Sequence, residues 1–255
     1  MQDEVYVETA EHIAELVLNR PAKLNAMTPE MASRLEELCR ALDRDPSVRV
    51  VLLRGAGDRA FCAGSDIKSV LEYPSHWAFH NRIEYSTLVR NVRKPVIAAL
   101  HGWVLGGGAE MALSADIRFM ARGARIGFPE VALGWVGGGG ASQMLPRLVG
   151  YGQAMRLILS GDPIGAEEAH RIGLVEFLTR DDTLLGEARA FCAKLAGYSA
   201  IAVESAKAAV RMALNSPLAA GLAYENEMNT LCLSAGEHVE GARAFVEKRP
   251  AKFSR

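Results

Sequence analysis

The chain has 255 residues, of which 49% are hydrophobic and 23% are charged, so it is long enough for one large globular domain with a sizeable core. Its formal net charge of -1 gives no electrostatic basis for binding nucleic acid or a membrane surface. No apolar run approaches the roughly 20 residues that a transmembrane helix needs. An anionic ligand must therefore be held by local basic side chains or by backbone amides.

The cysteines and the absence of certain short motifs limit the cellular compartment and the enzyme classes that the sequence supports. The four cysteines are scattered without a CxxC pair, which favours reduced thiols in the cytoplasm. No arginine precedes Arg20, so we expect neither a signal nor a transit peptide. The HExxH, GxSxG and GxxxxGK(S/T) patterns are absent, which gives no support for a zinc site, a serine hydrolase or a P-loop NTPase.

The first hundred residues alternate strand and helix patterns. Residues 5–8 and 13–18 carry alternating side chains across a short turn and predict a hairpin. Thr28 before Pro29 predicts a helix start, and apolar residues at helical spacing continue that helix to Pro46. Three apolar runs rich in β-branched residues predict buried strands: 48–53, 96–100 and 117–120.

Helical patterns dominate from about residue 187 to the end of the chain. We therefore predict an α/β core over residues 1–190 and a helical C-terminal region over residues 191–255. Periodicity alone leaves the topology open, because a doubly wound sheet also alternates strands and helices.

Two buried strands each lead into a turn of small residues. The first turn lies in AFCAGSDI at 60–67, and the second in PVIAALHGWVLGGGAEMALSADI at 95–117. Glycine lets a ligand approach the backbone, and the free amides of a helix start favour a phosphate, a carboxylate or a developing oxyanion. The glycine spacing does not match the GxGxxG dinucleotide pattern. From these residues alone, a simple tight turn is an equally good interpretation.

Longer segments carry a resemblance to a known family. KPVIAALHGWVLGGGAEMALSADIRF at 94–119 closely resembles the central signature of the crotonase (enoyl-CoA hydratase/isomerase) family, and AFCAGSDIK at 60–68 resembles its first oxyanion segment. The similarity extends to three further segments: NRPAKLNAM at 19–27, IGFPEVALGWVGGGGASQMLPRLVG at 126–150 and AFVEKRPAKF at 244–253. The resemblance implies an α/β fold built as a spiral of ββα units, with C-terminal helices that form trimers, often paired into hexamers.

The resemblance also implies catalytic roles. The backbone amides of Ser65 and Gly107 would polarise the thioester carbonyl of an acyl-CoA. Glu110 would activate water for attack at the β-carbon, Glu130 would deliver a proton to the α-carbon, and the amide of Gly138 would help to hold the water. Two carboxylates in one pocket do not both ionise easily, so one pKa is expected to rise. Without the resemblance, the favoured interpretation of Glu110 is a capping or ion-paired residue near the helix start, and the alternative for Glu130 is an exposed surface acid.

The resemblance places coenzyme A near two loops and the C-terminus. Its adenine would contact the backbone near Lys23 and Ala26 and near three residues of the first oxyanion segment, Ala63, Asp66 and Ile67. Lys23, Lys248 and Lys252 are candidate phosphate contacts. A solvated surface position is an equal alternative for each lysine. No metal or redox cofactor is implied, because coenzyme A is part of the substrate.

The sequence departs from the family pattern around the expected acyl pocket. Trp135 is bulkier than the usual aliphatic residue, Gly137 and residues 142–144 differ from many hydratases, Ser65 stands where alanine is common, and His101 replaces a frequent asparagine. Residues 70–92 correspond to the most variable segment of the family. Four aromatic residues there are candidates for the pocket lining, although half of them are expected to be core residues: Tyr73, Trp77, Phe79 and Tyr85.

These observations predict a cytoplasmic enoyl-CoA hydratase that forms a homotrimer or a dimer of trimers. Isomerisation, decarboxylation and thioester hydrolysis are alternatives on the same scaffold. A catalytically silent relative that binds CoA, a protein or RNA is an alternative of another class. A dinucleotide-dependent enzyme is a further one.

Overall fold

Strands and helices alternate along residues 3–253, the part of the chain that the computed structural model describes. The strands are β1 Val5–Ala10, β2 Ile13–Leu18, β3 Val50–Gly55, β4 Ala60–Cys62, β5 Val96–Leu100, β6 Trp103–Leu105, β7 Ile117–Ala121, β8 Arg125–Gly127, β9 Ile164–Gly165 and β10 Phe177–Thr179. The α-helices are α1 Pro29–Arg44, α2 Ile67–Leu71, α3 His76–His80, α4 Tyr85–Asn91, α5 Gly107–Ser114, α6 Ala141–Val149, α7 Tyr151–Ser160, α8 Ala166–Arg171, α9 Leu184–Ala196, α10 Ala200–Ala213, α11 Leu218–Ala235 and α12 His238–Val246. Two 3-10 helices span Pro21–Lys23 and Pro129–Leu133.

The strands form two sheets whose members alternate along the chain. The larger sheet has the order β1-β2-β3-β5-β7-β10, and the smaller sheet has the order β4-β6-β8-β9. The β1–β2 and β8–β9 pairs are antiparallel, and the other neighbours are parallel. In the larger sheet, β3, β5 and β7 are each followed by a strand of the smaller sheet and then by a helix, whereas β10 leads directly into α9. This ββα repeat confirms the predicted spiral and excludes one doubly wound sheet.

The predicted hairpin and first helix are confirmed with small shifts in their bounds. Thr28 caps α1 because its side chain accepts a hydrogen bond from the Met31 amide, and Pro29 follows at the first helical position. The third strand begins two residues later than predicted. The amide of Val48 closes a turn on the carbonyl of Asp45, so pairing in the sheet starts only at Val50.

Three short helices, α2 to α4, cross the segment that the sequence left without assigned structure. Each begins at a polar side chain that accepts a backbone amide: Asp66 from Lys68, Ser75 from Ala78 and Glu84 from Ser86. With five to seven residues each, they are too short to show a clear helical period. They lie beside the site described below.

Helices α9 and α10 contact the α/β core through strand packing and ion pairs, respectively. Helix α9 crosses the predicted division at residue 190 and packs against β3 and β5, so that division stays a prediction. Helix α10 is tied to Asp116, whose carboxylate lies 2.6 Å from Lys207 Nζ and 2.9 Å from Arg211 Nη2. Helix α11 contains no buried residue. Across residues 3–253, no helix combines the length and apolarity needed to cross a bilayer.

Candidate functional site

A cavity of about 310 Å³ lies where the two glycine-rich turns, the three short helices and the loop after β8 meet. Nine of the predicted catalytic and acyl-pocket residues line it: Ser65, Gly107, Glu110, Glu130, Gly138, Trp135, Tyr73, Phe79 and Tyr85. The fold therefore brings these residues, which are far apart in sequence, together around one cavity.

Glu110 occupies the first turn of α5 and is only 3% exposed. Its carboxylate accepts hydrogen bonds from the amide of Gly139 at 2.9 Å and from the amide of Ala141 at 3.0 Å. Burial raises the pKa of Glu110 to about 7, the two amides oppose that rise, and the neighbouring Glu130 adds to it. Glu110 is thus a carboxyl group that gains and loses a proton near neutral pH.

Glu130 lies in the 3-10 helix Pro129–Leu133 and is 7% exposed, and burial raises its pKa as well. Gly137 stands between the two acids. A β-carbon at Gly137 would lie 2.6 Å from Glu110 Oε1 and 3.5 Å from Glu130 Oε1. The two carboxylates therefore flank one small space that any residue larger than glycine would fill. Such a pair holds a single proton more easily than none, since two neighbouring negative charges repel.

The two predicted amide donors are adjacent and face the cavity. Gly107 is the first residue of α5, so its N–H has no acceptor within the helix. Gly64 adopts the left-handed region with φ of 92°, and a β-carbon there would lie 3.2 Å from the nitrogen of Gly107. This close approach sets Ser65 next to Gly107. In the described part of the chain, neither N–H takes part in a turn or loop hydrogen bond.

Met27 fixes the loop segment that carries Ser65. Its amide donates to the carbonyl of Gly64 at 2.8 Å, and its carbonyl accepts from the amide of Asp66 at 2.8 Å. These two bonds hold the residues on either side of Ser65 and leave its own N–H unused. The positive end of the α5 dipole lies alongside, so this corner of the cavity favours negative charge.

An ion pair that the sequence did not reveal forms part of the cavity wall. Arg82 Nη2 lies 2.9 Å from Glu84 Oε2, and Arg82 Nη1 donates to the carbonyl of Phe79 at 3.0 Å. A β-carbon at Gly138 would lie 2.6 Å from Arg82 Nη2. In the sequence, the only indication of this ion pair was that Arg82 and Glu84 have opposite charges and lie near aromatic residues of the variable segment. The amides of Gly139 and Ala141, which bind Glu110, were also missed, because only folding of the glycine-rich loop shows which N–H points inward.

The predicted coenzyme A contacts divide into two groups. Ala63, Asp66 and Ile67 line the cavity, whereas Lys23, Ala26 and Lys252 lie outside its lining. Lys23 and Lys252 are exposed, and the carbonyl of Ala26 accepts a hydrogen bond from Arg20. Arg20 also pairs with Asp66 at 2.7 Å, and this hydrogen bond lowers the pKa of the Asp66 carboxyl. The role of these residues toward coenzyme A stays a prediction.

The aromatic residues of the variable segment lie in different environments, three at the cavity and one at the surface. Tyr73, Phe79 and Tyr85 line the cavity, and Tyr73 meets Phe79 edge to face with ring centres 5.3 Å apart. The expectation is wrong for Trp77, which is 73% exposed and stacks on His80. Helix α3 is short and lies at the surface, so this face of it turns away from the cavity. His101 lies outside the lining, and burial lowers its pKa.

Comparison with known proteins identifies the family. The sequence profile of the enoyl-CoA hydratase/isomerase family matches residues 8–255. The chain belongs to this family. A crotonyl-CoA hydratase of Syntrophomonas wolfei subsp. wolfei is 35% identical over 256 residues, which cover 98% of both chains. An (E)-benzylidenesuccinyl-CoA hydratase of Thauera aromatica is 33% identical, again over 98% of both chains.

The solved structures of this enoyl-CoA hydratase/isomerase family agree with the fold. The crystal structure of an enoyl-CoA hydratase from Bacillus anthracis matches with a TM-score of 0.95 and 34% identity, covering 98% of this chain and 99% of that chain. The predicted family and α/β fold are thereby confirmed. Among the residues that the structure describes, no group of three or more His, Cys, Asp or Glu side chains is arranged to hold a metal ion.

Proposed function

We propose that this chain is an enoyl-CoA hydratase, which adds water reversibly to a 2-enoyl-CoA to give a 3-hydroxyacyl-CoA. The observation that carries this proposal is the pair of buried carboxylates, Glu110 and Glu130, that flank Gly137 in the same cavity as two unused backbone amides. Full-length similarity to relatives named as hydratases of crotonyl-CoA and benzylidenesuccinyl-CoA supports the same reaction.

The amides of Ser65 and Gly107 form the oxyanion hole in this proposal. Attack of water on the β-carbon pushes electrons toward the thioester and places negative charge on its oxygen. Fixed N–H groups that point at this oxygen stabilise the charge without having to reorganise during the reaction. The positive end of the α5 dipole adds to the effect, since Gly107 is the first residue of that helix.

The two glutamates exchange one proton with substrate and water. In hydration, ionised Glu110 takes a proton from the attacking water, and protonated Glu130 delivers a proton to the α-carbon. In dehydration each residue performs the reverse transfer. The raised pKa values of both groups support one shared proton on the pair near neutral pH, and the family resemblance supports the assignment of that proton to Glu130 at the start of hydration.

Hydration is favoured over isomerisation because the cavity holds two buried acids, whereas moving a double bond needs only one base. The test is loss of the enoyl-thioester absorbance of crotonyl-CoA, with the product identified by mass. We expect Glu110→Gln and Glu130→Gln each to reduce turnover by at least ~100-fold, as loss of a positioned acid or base does. Glu167→Gln, an exposed residue of α8, is the control and keeps full activity. Undiminished hydration in both site variants would refute the proposal.

The acyl pocket supports a small or aromatic acyl group. Tyr73, Phe79 and Trp135 all line the cavity. A panel of crotonyl-, longer-chain and cinnamoyl-CoA thioesters, compared by kcat/KM, distinguishes the two substrate sizes. A rate that rises steadily with chain length beyond six carbons would contradict this part of the proposal.

We also propose that the enzyme is a cytoplasmic homotrimer or a dimer of trimers. Its cysteines are free thiols, and three of the four are buried, which suits a reducing compartment. Helix α11 exposes Leu218 by 78% and Leu222 by 57%. Such an apolar helix without buried residues needs a covering surface, and further copies of the same chain are the occupant that the family resemblance supports.

A further inference from the structure

The hydroxyl of Tyr85 lies beside both proposed oxyanion donors. Tyr85 begins α4, is 7% exposed and lines the cavity with Ser65 and Gly107. Its Oη lies 3.0 Å from Ser65 Oγ. A β-carbon at Gly107 would lie only 1.8 Å from the same Oη, so the phenol occupies the space that any other residue at position 107 would take.

The position of the Tyr85 hydroxyl relative to the Gly107 amide decides whether both groups can reach one bound oxygen atom. In an α-helix every Cα–Cβ bond tilts toward the N-terminus, and the free N–H groups of the first turn also point past the N-terminus. The space of a Gly107 β-carbon is next to its own nitrogen, so the Tyr85 hydroxyl lies beside the start of α5, where the Gly107 amide is free. A thioester oxygen bound by the amides of Ser65 and Gly107 is accordingly within reach of a third donor.

Tyr85 has a proton available to donate. Burial raises the pKa of its phenol well above the usual value of 10, so the hydroxyl stays neutral at physiological pH. Within residues 3–253, Ser65 Oγ is its hydrogen-bonding partner. Two hydroxyl groups that share one hydrogen bond use one of their two protons, and the other proton stays free. The phenol is the more acidic group and hence the better donor to developing negative charge.

We propose that Tyr85 is a third hydrogen-bond donor to the thioester oxygen and that the Ser65 hydroxyl is a positioning group that orients it. The inference rests on the proposed acyl-CoA chemistry of this cavity. No bond is broken at Tyr85, since its proton remains on the phenol while charge grows on the thioester oxygen and declines again. The pairing also explains why serine stands at position 65 in this chain.

The test compares Tyr85→Phe with Tyr151→Phe, a matched change at a residue that is 74% exposed on α7. Two measurements are made on each protein: kcat and KM for crotonyl-CoA, and the absorption maximum of bound 4-dimethylaminocinnamoyl-CoA, which shifts to longer wavelength when its carbonyl is polarised. We expect Tyr85→Phe to lower kcat by ~10- to 100-fold, which is somewhat less than the loss caused by removal of a principal oxyanion donor. KM should change by less than about threefold. It should also reduce the red shift, while Tyr151→Phe changes neither.

The Ser65→Ala variant tests the positioning role. We expect a smaller loss of kcat and of red shift than in Tyr85→Phe, and no further loss when the two changes are combined, because both act through one hydrogen bond. Additive losses would overturn the role of the Ser65 hydroxyl. A Tyr85→Phe protein with the red shift of the wild type would overturn the role of Tyr85, even if its stability or rate were reduced, since a merely structural phenol does not polarise the probe.

The two measurements also separate this inference from the proposed function. If the wild type hydrates no enoyl-CoA but shifts the probe, and Tyr85→Phe diminishes the shift, the hydratase assignment fails and the donor role of Tyr85 stands. If hydration proceeds in Tyr85→Phe at the wild-type rate with an unchanged probe spectrum, the hydratase assignment stands and the inference fails.

Discussion

At the scale of single residues, Glu110 shows how burial in the fold brings the pKa of a carboxyl group close to neutral pH. A carboxylate in an otherwise apolar helix is costly to ionise, and the amides of Gly139 and Ala141 offset only part of that cost. The group therefore titrates at about pH 7 instead of 4.5. Since the shift arises from burial beside Glu130, it predicts both a rate and a stability that depend on pH.

For the rate, we expect kcat/KM for hydration to follow a bell-shaped curve. The active form carries one proton on the pair, so activity falls at alkaline pH as that proton is lost, with an apparent pKa near 7 for the pair. Activity also falls at acidic pH, where both carboxyls are protonated. The measurement is initial rates between pH 5 and 9 at constant ionic strength. A rate that rises without a maximum over this range would contradict the shared proton.

For stability, the sign follows from the raised pKa of Glu110. The folded state binds the proton more tightly than the unfolded state, so this contribution is complete below about pH 4.5 and is lost as pH rises through about 7. The full effect is on the order of 3 kcal/mol, from the value of one pKa unit. We expect Glu110→Gln to show a smaller decline in the free energy of unfolding between pH 5 and 8 than Glu167→Gln. Equal declines, in urea titrations at one protein concentration, would refute the shift.

At the scale of elements, the start of α5 determines the site. Gly107 supplies an amide, and its missing side chain makes room for Tyr85. The glycine triplet and the helix after it were predictable from sequence, because glycines directly before an apolar helical run are typical of a tight turn that opens a buried helix. Helices α2 to α4 were not, since each is held by one capping side chain and by contacts with distant parts of the chain. Consequently Arg82 and Glu84 could not be placed in the cavity wall beforehand.

A glycine comparison tests this element directly. In Gly107→Ala the new β-carbon would overlap Tyr85 Oη and push α4 away from the start of α5, so we expect kcat to fall by at least ~100-fold. A β-carbon added at Gly152 in α7 would meet no atom within 4 Å. Gly152→Ala should keep full activity and gain about 0.5–1 kcal/mol of stability from its lower backbone entropy cost. Activity in Gly107→Ala equal to that of Gly152→Ala would contradict the requirement that position 107 carry no side chain beside Tyr85.

At the scale of the whole molecule, the ββα repeat places successive turns of the chain over one cavity. Five ordered segments of sequence predicted this architecture through their resemblance to the family. Pairing of the strands into two sheets was not readable from periodicity, which is the same in a single doubly wound sheet. The exposed apolar face of α11 was equally invisible, because only the folded chain shows which leucines remain uncovered.

This uncovered face gives a prediction about assembly. A charge at Leu222 would have to be buried against another copy of the chain, so Leu222→Glu should lower the mass measured by light scattering to that of the monomer. Leu159→Glu changes a leucine of α7 that is 64% exposed and lies outside the C-terminal helices. It should leave the assembly intact. A monomeric wild type, or an unchanged mass in Leu222→Glu, would contradict assembly through α11.

The most direct test of the account follows the atoms of water into the product. Crotonyl-CoA is converted by the wild type in H2(18)O and, separately, in D2O, and the products are analysed by mass spectrometry, with Glu110→Gln as the comparison. We expect one (18)O on the β-carbon and one deuterium on the α-carbon for each initial turnover, and almost no incorporation in Glu110→Gln. Deuterium exchange without (18)O, or (18)O in a free carboxylic acid released from coenzyme A, would contradict it and assign this cavity to isomerisation or thioester hydrolysis.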